Sequence, residues 1–147
     1  MAVDVVTEIR IERPLTEVAA FSSNPDNAPK WYVNIKSVEL KTRPPLKVGS
    51  RVAFVAHFLG KRLAYTYEFV EYKPNLKLVM RTTEGPFPME TTYTWGKITD
   101  DQMRMTLRNR GNPTGFSKFF VPIMQWAMRR ANKKDLFRLK QILEKTS

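Results

Sequence analysis

The chain offers few residues for acid–base or nucleophilic chemistry. His57 is its one imidazole, and it has no cysteine, so a thiol nucleophile, a thiolate metal site and a multi-histidine centre are excluded. His57 shares the outward side of an alternating strand pattern with Ala53 and Val55, which indicates a surface position rather than a general base. No nucleophile elbow and no phosphate-binding glycine–lysine loop occurs. We therefore assign no catalytic residue and expect neither metal nor cofactor.

Neutral polar side chains share the parity of the apolar strand residues and are the better candidates for a site. This set consists of Thr7, Tyr65, Tyr67, Thr82, Thr91, Tyr93 and Asn109. No charged residue lies mid-strand on the same parity, and burying an unpaired ion costs several kcal/mol. The pattern suits a neutral, largely apolar guest whose carbonyl or phenol these groups orient. The alternative is structural, with threonines bonded to the backbone and tyrosine hydroxyls reaching the rim.

These residues require a sheet to position them. Apolar alternation predicts a first strand through Val5 and Ile11, and Arg13-Pro14 ends it. Helical spacing then predicts two short helices, the second starting near Asn24-Pro25 and ending near Trp31. From residue 37 the period of two returns and predicts six more strands, with turns near residues 59–60, 73–75, 84–88 and 99–101. Glu71 falls on the inward parity only at a strand end, and a bulge within residues 70–72 is one way for this stretch to reverse parity.

A period of 3.6 after Asn112-Pro113 predicts one long amphipathic helix. Pro122 should either kink this helix or mark where its regular part begins. A helix of this length needs a broad apolar surface, and a curved antiparallel sheet wrapped around it provides one.

Length and composition set the remaining bounds. The 147 residues, 42% of them hydrophobic, contain no repeat and no linker, so residues 1–147 are expected to form one domain. The amino terminus lacks an apolar run typical of a signal peptide. The most apolar later window, residues 116–131, is interrupted by polar residues and is too short to span a bilayer. A cytoplasmic location is therefore predicted.

The net charge of +11 is unevenly distributed. The first 72 residues hold ten basic against eight acidic side chains, whereas the remaining residues hold fifteen against six. Much of the excess lies on the C-terminal helix, at Arg129, Arg130, Lys133, Lys134 and Arg138. Such a face permits weak association with RNA or a phospholipid surface. A solvated helix face that keeps the protein in solution is the plainer interpretation.

Four segments in this order resemble a known superfamily. They are Ile9-x-Ile11-x-Arg13-Pro14-Leu15-x-x-Val18-x-x-Phe21-Ser22, Asn24-Pro25-x-Asn27-x-Pro29-x-Trp31, Pro45-Leu46-x-Val48-Gly49-Ser50 and Leu136-x-x-Leu139-Lys140-x-x-Leu143-Glu144. Together they resemble the polyketide cyclase/dehydrase branch of the START-like SRPBCC superfamily. The resemblance implies an α+β helix-grip fold, in which seven curved antiparallel strands and a long C-terminal helix enclose an apolar cavity. Members include lipid carriers, ligand sensors, quinone-binding proteins and aromatic cyclases.

The leading hypothesis is therefore non-catalytic binding of a lipid, a quinone or an aromatic polyketide between sheet and helix. The expected ligand-binding residues are Trp31, Phe54, Tyr65, Tyr67, Phe69, Leu78, Met80, Thr91, Tyr93, Trp95, Met105, Leu107, Asn109, Phe116, Phe120, Ile123 and Met124. One alternative is a cyclase or dehydratase in which Tyr65, Tyr67, Tyr93 or Asn109 polarises a carbonyl group. Another is association of the basic C-terminal helix with RNA or a membrane surface. Composition does not separate a filled core from a hollow one.

Overall fold

The structure, a computed structural model, describes residues 2–113 and 119–145. Seven antiparallel strands form one sheet in the order β1-β7-β6-β5-β4-β3-β2. The strands are β1 (Val3–Ile11), β2 (Ile35–Leu40), β3 (Arg51–Phe58), β4 (Lys61–Lys73), β5 (Lys77–Glu84), β6 (Met89–Thr99) and β7 (Gln102–Gly111). The helices are α1 (Leu15–Ser23), α2 (Ala28–Trp31) and α3 (Phe120–Lys145). The predicted α+β helix-grip architecture is confirmed.

The two short helices form where the sequence signals placed them. Pro14 precedes α1, and a 3-10 turn over Pro25–Asn27 leads directly into α2. The Asn24 side chain caps this turn by accepting a hydrogen bond from the Asp26 amide at 3.1 Å. The result places Trp31, fully buried, beneath the sheet.

The reversal of parity that the sequence left open occurs in β4. Phe69 pairs with Met80 but Glu71 pairs with Val79, so Val70 is an extra residue in the ladder. Beyond this bulge Tyr72 packs against the core, and Glu71 forms an ion pair with Lys77 at 3.2 Å. The bulge therefore keeps a carboxylate away from the interior.

The regular part of α3 begins near Pro122, as one of the two sequence interpretations predicted. Pro122 lies in the first turn, where a backbone amide has no helical acceptor, so the ring does not interrupt the helix. The helix packs along β1 and buries one stripe that runs from Met124 to Leu143. Phe116 lies outside the described residues.

The core has two parts. The larger cluster surrounds Trp31, Phe69 and Leu139 and is packed with fully buried side chains. The smaller cluster surrounds Tyr65, Met89 and Met124. A cavity lies beside the smaller cluster, between the sheet and α3.

Candidate functional site

The cavity between the sheet and α3 has a volume of about 140 Å3. Strands β2 to β7 supply one wall, and the inward face of α3 supplies the other. Ile35, Ala56, Phe58 and Leu63 are lining residues that are only half-buried, which places the opening on the β2–β4 side of the sheet. The walls are mostly aromatic and aliphatic, as in small-molecule sites generally.

About half of the residues predicted to bind a ligand line this cavity. They are Phe54, Tyr65, Tyr67, Met80, Thr91, Tyr93, Asn109 and Met124. All eight except Met124 project from β3 to β7, because the alternation that carries them has the predicted parity. Whether they bind a ligand remains a prediction.

The other eight predicted residues that the structure describes do not line the cavity. Trp31, Phe69, Leu78, Trp95, Met105 and Leu107 are buried in the larger core cluster. The strand pattern identified the inward face of the sheet correctly. Core side chains pack against that face over about half of its length, and the cavity lies against the other half. Phe120 is half-buried against the smaller cluster, and Ile123 is exposed on the outer side of α3.

The sequence interpretation missed four polar residues of the cavity, namely Tyr32, Asn34, Asn132 and Asp135. Tyr32 follows α2, whereas Asn132 and Asp135 lie on the buried stripe of α3. A signal for the last two was present. Met124, Met128 and Asn132 follow one another at intervals of four residues, which places all three on the same face of the helix. Because Met124 and Met128 are buried, this spacing predicts a polar side chain on the inward face.

Asp135 is the acidic group of the site. It is only 3% exposed, and its Oδ1 accepts a hydrogen bond from the Val33 amide at 2.8 Å. Burial raises the pKa of Asp135 to about 7, although the Val33 amide and the charge of Arg138 act in the opposite direction. The carboxyl group is therefore uncharged at mildly acidic pH and gains charge near neutrality.

The side-chain amide of Asn132 lines the cavity and has a buried nitrogen without a hydrogen-bond partner among the described residues. Its side chain is 5% exposed, and its buried Nδ2 makes no hydrogen bond within residues 2–113 and 119–145. A buried donor left unpaired costs roughly 1–3 kcal/mol. Because Asn132 and Asp135 are three residues apart, they lie side by side on the cavity face of α3. Asn132 is thus placed to donate to an acceptor in the cavity.

The hydroxyl groups are mostly paired already. The hydroxyls of Tyr32 and Tyr93 lie 2.5 Å apart, and Thr91 donates to Asn109 Oδ1 at 2.7 Å. Burial raises the pKa of Tyr93, and it raises the pKa of Tyr67 to about 12, so both phenols stay neutral.

Thr7 and Thr82 form hydrogen bonds to the backbone, as in the alternative interpretation in which the inward polar groups have a structural role. Thr7 donates to the Leu107 carbonyl at 3.4 Å, and Thr82 donates to the Met89 carbonyl at 3.3 Å. His57 is exposed, as predicted. In the described part of the chain, no group of three or more His, Asp or Glu side chains is arranged to hold a metal ion.

The sequence model of a family described as polyketide cyclase/dehydrase and lipid transport matches residues 2–144. The chain belongs to this family. The resemblance inferred from the sequence segments is therefore confirmed. No curated protein sequence matches the chain. Within the described ranges, no helix of this family member is long and apolar enough to cross a membrane.

Solved structures share the fold over nearly the whole chain. The protein TTHA0849 of Thermus thermophilus superposes with a TM-score of 0.84 at 20% identity, covering 98% of this chain and 99% of that one. A START superfamily protein of Mycobacterium smegmatis has a TM-score of 0.82 at 11% identity, with coverages of 98% and 99%. The ZhuI aromatase/cyclase of a Streptomyces species has a TM-score of 0.81 at 12% identity, with coverages of 96% and 93%. These likenesses establish the fold alone.

Proposed function

We propose that the chain binds one small neutral molecule in the cavity without chemically converting it. The apolar body of the guest lies against Phe54, Tyr65 and Met80, and an acceptor oxygen of the guest receives a hydrogen bond from Asn132. The observation that carries the proposal is the buried Asn132 Nδ2, which lacks a protein partner within the described residues and lies in a mostly apolar cavity. A carbonyl group on the guest would satisfy this donor.

The size of the cavity narrows the class of guest. An apolar cavity of roughly 150 Å3 holds benzene, and this one is about 140 Å3. A single-ring quinone or aromatic ketone fits that volume, whereas a fused-ring polyketide or a long acyl chain requires the wall to move. Met80, Met89 and Met124 are flexible wall residues that permit modest expansion. A single ring with one or two carbonyl groups is thus the favoured ligand.

Acetophenone and ethylbenzene test the proposal because they have nearly the same shape and differ in the acceptor oxygen. Titration calorimetry should give acetophenone an affinity about five- to tenfold higher, as expected for one hydrogen bond of about 1 kcal/mol. Asn132→Leu should remove or reverse this preference. Gln141→Leu, on the exposed side of the same helix, should retain it. An unchanged preference in Asn132→Leu would contradict the proposed role of the amide.

A second candidate is proton-transfer chemistry of the cyclase or dehydratase type, favoured by Asp135. A carboxyl group with a pKa of about 7 both accepts and donates protons at neutral pH. Deuterium exchange into the methyl group of acetophenone, followed by NMR in D2O, reports proton abstraction next to a carbonyl. Exchange above the buffer rate that Asp135→Asn removes would support this candidate. Binding with exchange only at the buffer rate would support the non-catalytic proposal.

A further inference from the structure

The outward face of α3 carries apolar side chains interleaved with cations. Ile123, Trp126 and Phe137 are 54%, 62% and 53% exposed. Arg130 lies between Trp126 and Phe137, and the four residues follow one another at spacings of three, four and seven. These spacings place all four on the side of the helix opposite the buried stripe. The Arg130 guanidinium lies 5.7 Å from the centre of the Trp126 ring. We call this surface the outward stripe. It consists of Ile123, Trp126, Arg130 and Phe137, together with the flanking cations Arg129, Lys133 and Lys134.

The outward stripe has an uncompensated positive charge. Arg129, Arg130, Lys133 and Lys134 are exposed, and none of them forms a salt bridge with a residue that the structure describes. Between residues 120 and 143 the single acidic residue is Asp135, whose side chain is buried on the cavity side. Four cations therefore lie beside exposed apolar groups with no carboxylate on the same face of that segment.

We propose that the outward stripe docks on a lipid bilayer containing anionic phospholipids. Lys and Arg bind the phosphate groups, while Trp and Phe favour the boundary between headgroups and acyl chains. Both requirements are met on one helix face, by cations complementary to the lipid and by apolar side chains that a bilayer would remove from water. Nucleic acid is a poorer fit, since its phosphates engage the cations and its bases can stack on Trp126 and Phe137, but the aliphatic Ile123 stays in water. The proposal is independent of any ligand in the cavity.

Intrinsic fluorescence offers a direct readout because Trp126 is exposed whereas Trp31 and Trp95 are buried. The full chain is mixed with vesicles of phosphatidylcholine alone, or of phosphatidylcholine and phosphatidylglycerol in a ratio of about 7:3. With the anionic vesicles we expect a blue shift and protection of Trp126 from acrylamide quenching, and both effects should weaken as salt is added. Neutral vesicles should give little change.

Charge-matched variants separate a specific face from net charge. Lys133→Gln with Lys134→Gln should lower the partition coefficient in vesicle sedimentation by roughly thirtyfold, about fivefold for each cation. Arg43→Gln with Lys47→Gln removes the same charge from an exposed loop outside α3 and should change partition by less than about twofold.

Four results would overturn the proposal. Equal binding to neutral and anionic vesicles would remove the electrostatic argument, and equal losses in the two double variants would show an effect of net charge alone. Binding of single-stranded RNA without binding of vesicles would assign the face to nucleic acid. A lipid-free dimer that protects Trp126 from acrylamide would assign the face to a second copy of the chain.

Discussion

Asp135→Asn should change how the stability of the protein depends on pH. In the folded state the carboxyl pKa is about 7, against an ordinary value of 3.8, because the group is buried. Between pH 3.8 and about pH 7 the folded state binds more protons at this group than the unfolded state does. The free energy of unfolding therefore falls as the pH rises through this range. At about 1.4 kcal/mol for each pKa unit, the total effect is roughly 4 kcal/mol. Above pH 7 the effect is complete and the slope ends.

The assay is urea unfolding of the wild type and of Asp135→Asn at several pH values between about 4 and 8. The asparagine side chain can still accept the hydrogen bond from the Val33 amide, but it does not ionise. Between pH 4 and pH 8 the free energy of unfolding of the variant should therefore rise by roughly 4 kcal/mol relative to that of the wild type. This gain corresponds to a relative shift of roughly 10 °C in Tm. Asp101→Asn, at an exposed turn, is the control and should run parallel to the wild type. Parallel profiles for Asp135→Asn would refute the burial argument.

Two further substitutions test the packing and the hydroxyl pair. Leu139→Ala removes a fully buried side chain and should lower the unfolding free energy in urea by about 2–5 kcal/mol, and a loss below about 1 kcal/mol would contradict its burial. Tyr93→Phe leaves the Tyr32 hydroxyl without its partner and should cost about 1–3 kcal/mol. The double variant with Tyr32→Phe should recover much of that loss in a double-mutant cycle, and strict additivity would show that the hydroxyls do not interact.

Most of the fold was predictable from local patterns. Alternation at period two located the strands, and Pro14 and Pro122 marked helix starts because proline is compatible with a first turn. The Val70 bulge was one of the options that the sequence left open for Glu71, since without a change of parity this carboxylate would point into the core.

The site was less predictable for a physical reason. Trp95 and Tyr93 lie two residues apart on the same face of one strand, yet only Tyr93 lines the cavity. Whether an inward residue meets packed side chains or empty volume depends on the distance between sheet and helix, which no local pattern encodes. Asn132 and Asp135 were missed because only apolar residues of the C-terminal helix were predicted to bind the ligand, whereas these two polar residues belong to its buried stripe.

Side-chain amide NMR of Asn132 tests the central claim most directly. The two Nδ2 protons are assigned by their disappearance in Asn132→Leu and followed in a labelled sample during titration with acetophenone and then with ethylbenzene. We predict a saturable downfield shift of one proton with the ketone, as it donates to the carbonyl oxygen, and no comparable shift with the hydrocarbon. An Asn132 resonance that stays fixed while acetophenone saturates the protein would contradict the account.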